Sequence, residues 1–169
     1  MSNELVIGCL ERIKERITEN IRTSGEWASG KTAESMVVIP TERGGMLKGR
    51  PYFQSLEDGR PAGRVPYDFA SIIRQWIIDK GIAVTPMPYK TNRPHKYTPA
   101  DRGLNHMASA IAWSIKENGT RLYRTGGRDD IYSNVIAEEV EKLKRRLIYT
   151  TIDTIGKLTK EDLKWRKKR

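Results

Sequence analysis

One cysteine in 169 residues leaves no partner for an internal disulfide, and Cys9 alone suits a reducing compartment. Placed at an apolar position of a helix, it reads as a small packing residue. The two histidines, His95 and His106, stand at no metal-ligating spacing to Cys, His or a carboxylate pair. Phosphate loops, Gly-x-Ser-x-Gly elbows and dinucleotide fingerprints are also missing. The adjacent acids Asp129-Asp130 are accounted for by capping a helix N-terminus. The expectation is therefore a protein that is not an enzyme, with no metal and no cofactor. Nor does any apolar run approach the ~18 residues of a membrane span, and the N-terminus lacks a secretory pattern. That places the protein on the soluble side of a membrane.

What is present is charge. Only 37% of residues are apolar and 31% are charged, which means a modest core and much solvated or docking surface. A single domain of this length buries roughly 70% of its unfolded surface without metal or disulfide support. The net charge of +10 is concentrated: from Lys142 to Arg169, eleven Lys/Arg face three acids, which leaves the first 141 residues close to neutral. Such a basic end attracts phosphate backbones or acidic protein surfaces through a salt-screened field.

Hydrophobic period sets out the elements. Residues 3–22 carry Cys9 or Leu10, Ile13, Ile17 and Ile21 on one stripe, a long N-terminal surface helix ended by Thr23-Ser-Gly25. Residues 28–34 are weakly helical or a loop. Ser35 to Pro40 reads as a strand, Gly44-Gly45 as a turn, and Met46-Leu47 and then Tyr52 to Glu57 as antiparallel neighbours. Gly59, Pro61, Gly63 and Pro66 stiffen an exposed loop. From Asp68 a helix carries Phe69, Ile72, Ile73, Trp76 and Ile77 to a stop at Gly81. Residues 83–97, with Pro86, Pro88, Asn92 and Pro94, form a long proline-rich loop of the kind that is usually functional. Thr98-Pro99-Ala-Asp101 starts a helix that bears Leu104, Ala108, Ile111, Ala112 and Ile115 inward. Thr120 to Tyr123 reads as extended, and a last long helix capped by Asp129 or Asp130 presents Ile131, Val135, Ile136, Val140, Leu143 and Leu147. A further short segment after Gly156 is either a capped helix or frayed. The fold class is α+β: a small antiparallel sheet packed against several helices, with a domain at 1–150 and a basic C-terminal arm at 151–169.

Two features invite a functional reading. Glu57 and Arg60, with Gly59, form either an ion pair at a subunit interface or a solvated turn whose bridge is worth about 0–1 kcal/mol. Tyr52, Glu57, Gly59, Arg60 and Arg64 are the candidate interface residues. Trp76 and Trp113 lie beside apolar stripes and read as core. Trp165 differs, because it stands among Lys164, Arg166, Lys167, Lys168 and Arg169, where an aromatic stacks on a base or enters a partner groove. These six are the candidates for DNA or partner contact. No nucleic-acid module accompanies them, so a basic end supports sequence-blind phosphate contact at most.

The aromatic-x-x-x-Leu-Glu-x-Gly element from Tyr52/Phe53 to Gly59 resembles the motif of tailed-bacteriophage tail-completion (head–tail joining, neck) proteins, where an aromatic strand ends in Val-Glu-x-Gly-Thr after an N-terminal helix. Ser24-Gly25, Gly30-Lys31 and Ser35 before it, and Trp76-Ile and Lys80-Gly81 after it, match as well. So does Ile111-Ala-Trp-Ser-Ile115-Lys-Glu-Asn-Gly119-Thr120. With Gly59-Arg60-Pro-Ala-Gly63 in place of Gly-Thr, the pattern is similar to neck proteins of phages and prophages of gut Bacteroidetes. The resemblance covers residues 3–150, departs at Arg60 and in 83–97, and has no counterpart for 157–169. It implies a non-enzymatic virion protein, made in the host cytoplasm, whose copies form a six- or twelve-fold ring. Such a ring joins portal or adaptor to tail proteins and seals the channel through which genomic DNA passes. The expected working parts are the 57–66 loop, the 83–97 loop and the arm, with residues 157–169 ordering only on assembly. The competing expectation is a sequence-nonspecific nucleic-acid-binding protein.

Overall fold

A computed structural model describes residues 2–42, 44–91 and 93–166, and side chains from residue 3 to residue 160 within them. The fold is α+β. Helix α1 (Ser2–Thr23) places Cys9, Ile13, Ile17 and Ile21 at 1–3% exposure on one stripe, as the period requires. After a one-turn helix α2 (Lys31–Glu34) the chain forms an antiparallel hairpin, β1 (Val37–Thr41) with β2 (Gly44–Lys48), in the register Ile39↔Met46. Val38 and Leu47 lie half-buried toward α1, while Val37, Ile39 and Met46 line the outer face at 52%, 37% and 47% exposure. Gly44-Gly45 open β2 instead of forming the turn. A side chain at Gly45 would meet the Leu10 methyl at 2.8 Å, so the strand passes close under α1 and a larger residue there would displace the Leu10 side chain.

The third strand expected over Tyr52–Glu57 is absent. The segment is a 3₁₀ turn (Pro51–Gln54) running into α3 (Ser55–Asp58). Pro51 takes the first helical position, and the side chains that reach the core are Phe53 and Leu56, three apart as in a helix. The aromatic strand implied by the resemblance is thus a helical turn here.

Helix α4 (Phe69–Asp79) packs on α5 (Pro99–Asn118) through Ile73, Ile77, Ala108 and Ala112, a second core cluster separate from the first. Trp76 and Trp113, expected in the core, are 39% and 64% exposed. Arg74 ties the pair by reaching Asp101 and Asn105, each at 2.9 Å. Thr98 caps α5 by accepting from the Asp101 amide at 3.1 Å. The Thr120–Tyr123 segment, expected to be extended, instead leads into a one-turn helix α6 (Arg121–Arg124), because Thr120 caps it by accepting from the Tyr123 amide at 3.3 Å.

Helix α7 (Ser133–Arg166) is 34 residues long, about 50 Å. It runs unbroken across 150/151 and through Gly156, so no change of backbone marks the expected start of an arm. Its first half packs on α1, where Ile131 and Val135 join the main cluster and the thiol of Cys9 lies 3.5 Å from the Glu139 carbonyl. Burial raises the Cys9 pKa. Glu139 is buried in the same seam and accepts from Arg12 and Arg16 of α1 at 3.1 and 3.0 Å and from Lys142 at 2.7 Å. The hydrogen bond from Lys142 first, then those from both arginines, hold its carboxyl at about 2 against an ordinary 4.5.

Candidate subunit-contact site

The segment proposed for contact is first of all a lock. Glu57 is 2% exposed, and its Oε1 accepts from the amides of Ile131, Tyr132 and Ser133 at 2.9, 2.6 and 2.9 Å; its Oε2 accepts from the Ser133 hydroxyl. These are the amides that open α7, which have no helical carbonyl to pair with. A carboxylate there also meets the positive end of the helix dipole. The capping acid is therefore Glu57, 76 positions before Ser133, and not Asp129 or Asp130. Asp130 instead chelates Arg128 at 2.5 and 2.7 Å.

Around this contact the backbone is stitched closed. The Glu57 carbonyl accepts from the Arg128 amide at 2.9 Å, and Arg60 and Thr120 exchange two bonds of 2.9 Å. The Gly63 amide reaches the Lys116 carbonyl at 2.8 Å, at the C-terminal end of α5. Gly59 has φ 70°, and a Cβ there would lie 2.4 Å from the Tyr123 nitrogen, so only glycine fits. The Leu-Glu-x-Gly spacing is thus explained inside one chain: Leu56 fills core, Glu57 caps, and Gly59 lets two backbones touch.

This corrects two sequence expectations. Glu57 and Gly59 are buried and spent within the chain, and the Glu57–Arg60 ion pair does not form. Arg60 places its guanidinium 5.1 Å from the Phe69 ring centroid and donates to the Arg64 carbonyl at 2.8 Å. Tyr52 (70% exposed) and Arg64 do face outward. Lys164, Trp165 and Arg166 fall on the last turn of α7, with side chains outside the described residues. Lys167, Lys168 and Arg169 lie outside them entirely.

On the outer side of the lock is an open groove of about 430 Å³. Pro51, Tyr52, Pro61 and Tyr123 wall it, and Asp58 stands at its edge, accepting from Gln54 at 2.7 Å. No family model, no curated protein and no solved structure matches this chain. Among the described residues no three His, Cys, Asp or Glu gather as a metal site, and no helix is long and apolar enough to cross a membrane.

Sequence reasoning missed one surface. Ile148, Tyr149, Ile152, Ile155 and Leu158 of α7 are 57–73% exposed. Glu139 faces α1, and Ile148 follows nine residues later, about two and a half turns, so the stripe of Ile148, Ile152 and Ile155 points away from the body. The spacing of four and three was the available signal. On the polar side of the same helix lie Lys142, Arg146, Lys157 and Lys160.

Proposed function

We propose that the chain is a structural subunit of a tailed-bacteriophage neck, one copy of a six- or twelve-membered connector ring that links portal or adaptor to tail and lines or seals the genome channel. One observation carries the docking half of this reading. The outer half of α7 and the outer hairpin face leave eight large apolar side chains in water, at 37–73% exposure, in two separate parts of the fold. Surfaces of that kind mark protein contacts, and contacts on two different faces are what a ring subunit needs. The resemblance of the Tyr52–Gly59 element to the phage neck motif suggests the setting. Native mass spectrometry and electron microscopy of the full chain are expected to give closed rings of six or twelve copies. Replacing Ile148, Ile152 and Ile155 by lysine is expected to weaken assembly while leaving the circular dichroism of the fold intact. A monomer at every concentration, absent from purified virions, overturns the reading.

The basic side of α7 favours a second reading, sequence-blind contact with nucleic acid. Lys142 is held by Glu139 and Lys157 by Asp153, each within 2.7 Å, and if all four cations exchanged these partners for phosphates the slope of log affinity against log salt for duplex DNA would reach about −3.6. Such a slope at micromolar affinity, reduced by about half in a Lys157→Ala, Lys160→Ala variant, places this role ahead of the first.

A further inference from the structure

We propose that neighbouring copies join head to tail, the turn Arg93-Pro94-His95-Lys96-Tyr97 of one copy seating in the Tyr52/Tyr123 groove of the next. This rests on the assembly reading above and names the contact that builds the ring.

The two halves of the contact sit at opposite ends of one strut. The groove is fastened to the C-terminal end of α5 through Gly63 and Lys116. The proline-rich segment is fastened to the N-terminal end, where the Met87 amide donates to the Pro99 carbonyl at 2.9 Å and Arg102 donates to the Pro88 carbonyl at 3.1 Å. Helix α5 has 20 residues, about 30 Å. A turn held at one end of that strut is kept from the groove at the other, but it is placed to enter the groove of a second copy. A contact between two different patches of identical chains is heterologous, and such contacts generate a ring where the rotation between copies closes and an open filament where it does not.

The chemistry is complementary. Proline rings pack on tyrosine faces, and a groove walled by Tyr52, Tyr123, Pro51 and Pro61 suits an exposed proline-bearing turn whose backbone is already restricted. Asp58 meets no cation among the described residues. Arg60, which also lines the groove, is engaged with the Phe69 ring and the Arg64 carbonyl, and Asp58 is the groove's one carboxylate. The incoming turn carries Arg93 and Lys96 and no carboxylate. It is also braced before docking. The His95 ring stacks on Tyr89 at 3.5 Å and 6°, and Arg102 lies 4.5 Å over the same tyrosine, while residues 93–97 are all exposed. A pre-formed turn loses less freedom on binding.

Sedimentation velocity of the full chain tests this, with circular dichroism confirming that each variant is folded. Asp58→Arg is expected to weaken self-association about tenfold, and Arg93→Glu with Lys96→Glu to do the same. Joining all three substitutions in one chain is expected to restore most of the loss. Tyr52→Ala, at an exposed position, is a second route to weaker assembly and risks little of the fold. In a Cys9→Ser background, a Gln54→Cys chain mixed with a Pro94→Cys chain is expected to form a disulfide-linked pair faster than either alone. If the wild type assembles but these variants assemble equally well, the groove contact is wrong and the ring reading stands. If the wild type never assembles, both fall together.

Discussion

Replacing Glu57 by alanine strips three opening amides of α7 and one hydroxyl of their shared acceptor. Hydrogen bonds to a charged group and a lost cap together are worth about 3 kcal/mol, and for a domain of this size the melting temperature is expected to drop by about 10 °C. Glu57→Gln keeps the shape but loses the charge at the helix dipole, and should fall between the two in the same melt. Glu139 gives a pH-dependent counterpart. Its folded pKa of about 2 lies below that of an unfolded glutamate, so its contribution is complete above about pH 4.5 and vanishes as pH falls through 2. Urea titrations at pH 3 and pH 6 are expected to show about 1 kcal/mol less pH dependence in Glu139→Gln than in the wild type, roughly half the unscreened linkage value because Lys142, Arg12 and Arg16 are partly in solvent. Neither role was legible in the chain. Glu57 meets Ser133 across 76 positions and Glu139 meets Arg12 across 127, whereas the chain read locally offers Glu57 a partner within a turn, at Arg60.

Elements with strong periodicity were readable, and short ones were not. The stripe of α1, the hairpin about Ile39↔Met46, and the Thr98 start of α5 follow from period, β-branching and capping that need no tertiary context. The Tyr52–Glu57 and Thr120–Tyr123 segments are too short for either period to dominate, and their caps, Pro51 and Thr120, decided them as helical turns. The segment after Gly156 is expected from the sequence to be a separate capped helix or frayed, yet α7 passes through Gly156 unbroken. A side chain there would meet nothing within 4 Å. Gly156→Ala therefore removes about 1 kcal/mol of glycine penalty from the outer half of α7. Amide exchange across 150–160 is expected to slow about fivefold, with the global melting temperature little changed.

At the scale of the whole molecule, two clusters of unequal size share one chain. The first has eight buried residues from α1, α7 and the segments between α1 and the hairpin; the second has four, two of them alanine. The α4–α5 pair, joined to the rest through the 57–63 stitch, has less apolar surface holding it shut. Its core amides at 73–77 and 108–112 are expected to exchange as a group, ahead of those at 9–21 and 131–143 in a mass-spectrometric time course.

The position of the sole thiol turns this into an optical measurement. Cys9 is 1% exposed under α7 and cannot be reached by a thiol-reactive dye until α1 and α7 part. Its labelling rate therefore times the separation of those two helices alone, blind to whatever the α4–α5 pair is doing. A dye that reacts at the pace of the slow amides marks the natural protein as carrying its own clock, with no engineered reporter required.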